Sequence, residues 1–124
     1  MEIRISTRVV FLIGKYAIKI PVSKRGYLQG KNEAKIYAKY KRYPYLAPLL
    51  WEFLGIVCQE RCRELDVFDA CVVTEVKALM PELNIDNCDL YNEENWGIYN
   101  EHQVLLDYGI DKNISRMYKK ELPK

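Results

Sequence analysis

The chain has 124 residues, 49% of them apolar and 29% charged, with a formal net charge of +2 and a mean hydropathy of -0.27. That length holds one core but not two, and the composition excludes a disordered chain. No run approaches the roughly 20 apolar residues that span a bilayer, the start MEIRISTRVVFLIGKY has no small-residue cleavage site, and the charge is far from that of a dedicated nucleic-acid binder. The expectation is a cytoplasmic protein, in the host cytoplasm if viral, with neither membrane nor nucleic acid as partner.

In chain order, residues 8–13 (RVVFLI) and 16–20 (YAIKI) read as a hairpin around Gly14-Lys15, closed by Pro21. Alternation puts Ala17 and Lys19 on one face of the second strand and Tyr16, Ile18 and Ile20 on the other, so the lysine points away from the more apolar side. Gly26 and Gly30 loosen the chain before a helix over 31–42, with Ala34, Tyr37, Ala38 and Lys41 at helical spacing, Glu33 in the first turns and Pro44 as the stop. Its lysines read as a solvated side. Strands over 49–54 and 55–58 flank Gly55, making a sheet of about four strands.

Asp66 is placed to cap a second helix, with Phe68, Cys71, Val72, Glu75, Val76 and Leu79 on one face and Pro81 as terminator. The turn-rich NIDNCDLYNEEN leads into WGIY, a turn at Asn100-Glu101, and QVLLDYG, a second hairpin with a carboxylate at its exit. Trp96 reads as an anchor beneath the preceding loop and His102 as solvated near the turn. Cys58, Cys62, Cys71 and Cys88 read as reduced thiols, because nothing else suggests a secreted, loop-rich scaffold that needs disulfides, and no zinc site is expected, because it needs four ligands at recognisable spacing and His102 is the chain's single histidine. Ten tyrosines, several between Tyr27 and Tyr45, fit either packing or a protein interface.

Four polar residues carry the chemistry. A strand lysine, Lys19, offers a compact positive charge to phosphate oxygens, and a helix carboxylate, Glu33, can hold it by a charge-assisted hydrogen bond. Asn95 before the second hairpin and Asp107 after it supply the oxygen ligands magnesium prefers, and the hairpin brings the two together. The plain alternatives are a solvent-facing lysine, a surface glutamate beside Lys31 and Lys35, and two turn-forming residues.

In this order the parts resemble the protein kinase-like fold, in the short, divergent versions found in bacteria and their viruses. YAIKI with Lys19 is similar to the strand carrying the phosphate-binding lysine, NEAKIY with Glu33 to its partner helix, and 49–62 to the next two strands and the connection between lobes. Asn95 matches the catalytic-loop asparagine, and Asp107-Tyr108-Gly109 the Asp-Phe-Gly element. The resemblance implies an α+β fold, a small antiparallel sheet with flanking helices and a metal-site hairpin, in one truncated domain over 1–110 with a polar basic tail over 111–124. It implies ATP and magnesium as cofactors and transfer of a phosphoryl group to a hydroxyl.

The departures are specific. The glycine loop is replaced by EIRIST, where Ser6 and Thr7 offer only amides and hydroxyls. The chain stops soon after Gly109, leaving no room for the helical platform that receives a substrate unless another subunit supplies it, as in a homo-oligomer. The family's base lies five residues before the metal-binding asparagine, which here is Leu90, with Asp89 one position away. Either Asp89 is the base or the protein is a pseudokinase. A different class of function, a viral or mobile-element protein that binds and blocks a host protein, needs none of these residues.

Overall fold

The computed structural model describes residues 2–5, 7–81, 83 and 85–109. The expected tail over 111–124 lies outside them. The chain folds as α+β with two antiparallel sheets. Strands β1 (Glu2–Ile5), β2 (Arg8–Ile13), β3 (Tyr16–Pro21), β4 (Leu49–Phe53) and β5 (Ile56–Glu60) form the first, in the order β1-β2-β3-β5-β4. Strands β6 (Arg63–Glu64), β7 (Trp96–Tyr99) and β8 (His102–Leu105) form the second. Helix α1 (Lys24–Tyr40) follows β3, α2 (Ala70–Leu79) follows β6, and a short α3 (Asn87–Leu90) precedes a 3₁₀ turn at Glu93–Asn95. No described helix is long and apolar enough to cross a membrane.

The first sheet has five strands rather than the expected four. The added one is β1, pairing from Glu2 with Leu12 to Ile5 with Val9, in the stretch read as a substitute for the glycine loop. Ser6 lies outside the described residues. Thr7 is buried, donates its hydroxyl to Gln29 Oε1, and accepts Val22 N–H and the Ser23 hydroxyl at its carbonyl.

Helix α1 begins at Lys24 rather than near residue 31, capped by the Ser23 hydroxyl, which accepts from Gly26 N at 3.0 Å. Gly26 and Gly30 are inside it. They are not a loosened approach but the points where the helix touches backbone: a Cβ on Gly26 would collide with Thr7 O, and one on Gly30 with Gly55 O. Glu33 therefore falls in mid-helix and is fully buried, not on a solvated surface. Helix α2 is capped by Asp69, whose carboxylate accepts from Cys71 N at 2.9 Å, whereas Asp66 pairs with Arg63. The helix buries Val73, Val76 and, just past its end, Met80, and leaves Cys71, Glu75 and Leu79 of the expected stripe exposed.

The core lies between α1, α2 and the second sheet, and includes Ile36, Tyr40, Val73, Val76, Trp96 and Tyr108. Trp96 is indeed an anchor, with Nε1 donating to Leu90 O at 2.7 Å. Tyr40 belongs to this cluster, and Tyr37, Tyr43 and Tyr45 pack against it, so most of the tyrosine group serves packing. The segment after α1 ties the sheets together: Leu105 N donates to Tyr45 O at 2.8 Å and Ala47 N to Leu105 O at 3.0 Å.

Gly30→Ala should destabilise the protein by about 1–3 kcal/mol in urea unfolding, because overpacking against Gly55 outweighs the roughly 0.5–1 kcal/mol an alanine gains inside a helix.

Candidate functional site

Cross-strand register places Arg8 of β2 opposite Pro21 of β3, and Lys19 of β3 opposite Val57 of β5. Arg8 and Lys19 thus share the sheet face on which α1 packs. Both are buried, and so is Glu33, which α1 presents to them. Arg8 Nη2 lies 2.7 Å from Glu33 Oε2, and Lys19 Nζ lies 3.3 Å from Glu33 Oε1. Each carboxylate oxygen takes one cation.

The chain after the second hairpin closes the cluster. Asp107 Oδ1 lies 3.0 Å from both Arg8 Nη2 and Lys19 Nζ, and its side chain is 43% exposed. Lys19 Nζ also donates to Leu106 O at 2.8 Å, so its three N–H bonds reach two carboxylates and a carbonyl. Two cations meet two anions, and the buried charges balance. Burial opposes the charge on Arg8, but Glu33 and Asp107 more than offset it and hold its pKa above the ordinary value.

Asp107-Tyr108-Gly109 is fastened at every residue. Tyr108 has no exposed surface, stacks on Tyr37 with ring centroids 6.4 Å apart, and donates its hydroxyl to Ala47 O at 2.8 Å. Gly109 lies against α1: its carbonyl accepts from Asn32 Nδ2 at 2.8 Å, and a Cβ there would collide with Gln29 O and crowd Glu33 Cγ. Only glycine permits that approach.

Two cavities open on the cluster. The larger, about 580 Å³, is lined by Val10, Leu12, Ala17 and Lys19 of the first sheet, by the 59–65 connection, and by Glu93, Glu94, Trp96 and Asp107. The smaller, about 170 Å³, is lined by Thr7, Arg8, Arg25, Gln29, Asp89, Asn95 and Asp107. Arg8 Nη1 is buried with no hydrogen-bond partner among the described residues.

All five candidate residues from the sequence therefore border one region: Lys19, Glu33 and Asp107 in direct contact, Asn95 and Asp89 across the smaller cavity from Arg8. Leu106 N donates to Asn95 O at 2.7 Å, which draws the hairpin ends together. Asn95 Nδ2 donates to Asp89 O at 2.9 Å, which leaves Oδ1 as the coordinating atom of its carboxamide. Burial, then Asp86 and Asp107, raises the Asp89 carboxyl above the usual aspartate range, against the pull of Arg25. Among the described residues no three His, Cys, Asp or Glu side chains gather as a metal site. The oxygens of Asp107 and Asn95 are of the type magnesium accepts, two protein ligands with the rest from phosphate and water, and in that sense they fit the ion.

Arg8 is the residue that sequence reasoning missed. The signal was present: it is the single charge in RVVFLI, and hairpin register through Gly14-Lys15 puts it on the face of Lys19. Gln29 and Gln59 were also missed, and they carry no such signal, because what they touch is set by tertiary packing. Comparison with protein-family models, curated proteins and solved structures found no match.

Glu33→Ala should cost about 3–5 kcal/mol in chemical denaturation, since it strands two buried cations, and Asp107→Ala clearly less, because that carboxylate is part solvated. Burial pushes the Cys62 thiol that lines the larger cavity up to about 11, against the attraction of Lys19. Peptide mapping should find Cys62 alkylated by iodoacetamide far more slowly than exposed Cys71 and Cys88 at pH 8, its rate rising about tenfold per pH unit to pH 10.

Proposed function

We propose that this protein is a minimal kinase-like phosphotransferase that binds ATP in the larger cavity and serves a hydroxyl acceptor from the smaller one. The observation that carries the reading is the buried Lys19–Glu33 pair at 3.3 Å with Asp107 on the same ammonium at 3.0 Å. In protein kinases a strand lysine, a helix glutamate and the aspartate of an Asp-Phe-Gly element form this set.

In this reading Lys19 holds phosphate oxygens, and Glu33 keeps its ammonium in place as a positioning residue. Arg8 adds a second fixed positive charge where the family relies on glycine-loop amides, so electrostatic stabilisation comes from side chains already oriented before substrate binds. Asp107 and Asn95 would hold magnesium, which when bound neutralises phosphate charge. Asp89 accepts the proton of the acceptor hydroxyl; its raised carboxyl suits a base that must release that proton again. The pseudokinase alternative keeps the nucleotide and drops this last step. A host-protein inhibitor needs none of these contacts, and the tyrosines that motivated it mostly pack inward.

Calorimetric titration of ATP and magnesium into the full chain should give a dissociation constant below about 1 mM, equivalent to roughly -4 kcal/mol, weakened at least about tenfold by Lys19→Ala and by Asp107→Ala. A folded wild type that takes up no nucleotide at that concentration would defeat the proposal. Asp89→Asn should retain nucleotide and lower phosphoryl transfer about 10²–10⁴-fold; unchanged transfer would remove Asp89 as the base.

A further inference from the structure

The alternation that turns Arg8 and Lys19 inward turns a different set of side chains outward. Register along the first sheet aligns Val9 with Ile20, and Phe53 with Ile56. It also aligns Phe11 with Ile18, Cys58 and Trp51 in one unbroken row across four strands, and Ile13 with Tyr16. Every side chain of these rows is apolar or aromatic except Glu60, which stands opposite Tyr16 at the end of β5, and the Lys15 ammonium lies beside the same tyrosine, 5.6 Å from the centre of the Tyr16 ring.

Of these side chains Cys58 is buried, and none joins or packs against the cluster between α1, α2 and the second sheet. Phe53 is 65% exposed, Trp51 48%, Ile13 45% and Tyr16 38%, while Val9, Phe11, Ile18, Ile20 and Ile56 are half-buried among their neighbours. An aromatic side chain presents about 150–250 Å² when fully open, so the four most exposed residues alone offer on the order of 500 Å². With the half-buried ones the face approaches the roughly 800 Å² each partner contributes to a standard interface. A contiguous apolar patch of that size is rare on a monomer.

We propose that this face is the seat of a second copy of the chain, packed sheet on sheet about a two-fold axis. The face is suited to itself in charge, because its two charges, Glu60 and Lys15, have opposite sign and stand together at the Tyr16 corner, so the rest of two identical surfaces meets without like-charge repulsion. Strand β3 is the middle strand of five, so an axis along it near Ile18 lays β5 of one copy over β2 of the other and β4 over β1. Each contact then occurs twice, as a closed two-fold interface requires, and sheets packed in this way stand about 10 Å apart. The pairing gives the sheet the apolar burial that its own inner face, occupied by Arg8, Lys19 and Gln59, largely forgoes.

Sedimentation equilibrium of the full chain at about 10–100 µM should return twice the 14.7 kDa of one copy. Phe53→Lys on β4 and Ile13→Lys on β2 replace exposed side chains at opposite ends of the face, and each should weaken the dimer at least about tenfold with an unchanged far-ultraviolet circular dichroism spectrum. Leu79→Lys, on the exposed side of α2, should leave it intact. A wild type that stays monomeric at 100 µM would overturn the proposal, as would a dimer that survives both face variants. A dimer lost in Phe53→Lys but kept in Ile13→Lys would mean pairing through the β4 edge and would overturn it equally.

Discussion

A fully buried glutamate organises this protein. Glu33 has no exposed surface, and a carboxylate taken out of water loses several kcal/mol of solvation unless cations and hydrogen bonds replace it. The replacements come from separate elements: Arg8 from β2 and Lys19 from β3. Two cations on one anion leave a positive excess, which Asp107 from the end of the second hairpin balances. Helix, first sheet and hairpin exit are therefore obliged to meet at one point. The apolar core is assembled elsewhere, between α1, α2 and the second sheet, so a polar joint and an apolar core divide the work of holding the two sheets together.

This division explains the position of the cavities. They open at the joint, where charged side chains keep apolar packing from closing, and α1 holds the cluster from behind through its close approach at Gly30 and Gly109. The larger cavity combines apolar sheet side chains with charges of both signs, Lys19, Arg61 and Arg63 beside Glu60, Glu64, Glu93, Glu94 and Asp107, so the proposed nucleotide would need those cations and its magnesium to offset the carboxylates. In the proposed kinase-like reading Arg8 is the added part: a guanidinium held by Glu33 and Asp107 stands beside the lysine in a chain whose residues 2–5 supply an edge strand. The same pleat that sends these cations inward sends Phe11, Ile18, Trp51 and Phe53 to the outer face, so the interior charge and the exterior apolar surface are two consequences of one register.

Much of this was legible in the sequence. Both hairpins declare themselves through β-branched runs around Gly14-Lys15 and Asn100-Glu101, and the strands flanking Gly55 lie within two residues of their expected ends. Lys19 and Glu33 could be named as a pair, and Asp107 with Asn95 as oxygen ligands, from the order of strand, helix and hairpin exit; that Asp107 meets the same lysine is a tertiary contact. The misplaced boundaries have local causes. Gly26 and Gly30 usually interrupt helices, and here they are tolerated because the backbones of Thr7 and Gly55 stand too close for a side chain. Asp69 took the cap expected of Asp66 because its carboxylate is the one that reaches a free amide at the start of α2.

What the sequence by itself determined is the alternation of each strand, the turns between them and the kinds of charge available, since these follow from residue type and a period of two. Which face of the sheet is buried was a tertiary decision. Judged by side chains alone, the Ile18 and Ile20 face should turn inward; α1 instead covers the face of Ala17 and Lys19, because only there can Glu33 be neutralised. Burial depends on what packs against a surface as well as on the surface itself, and the chain's local pattern carries no record of that partner.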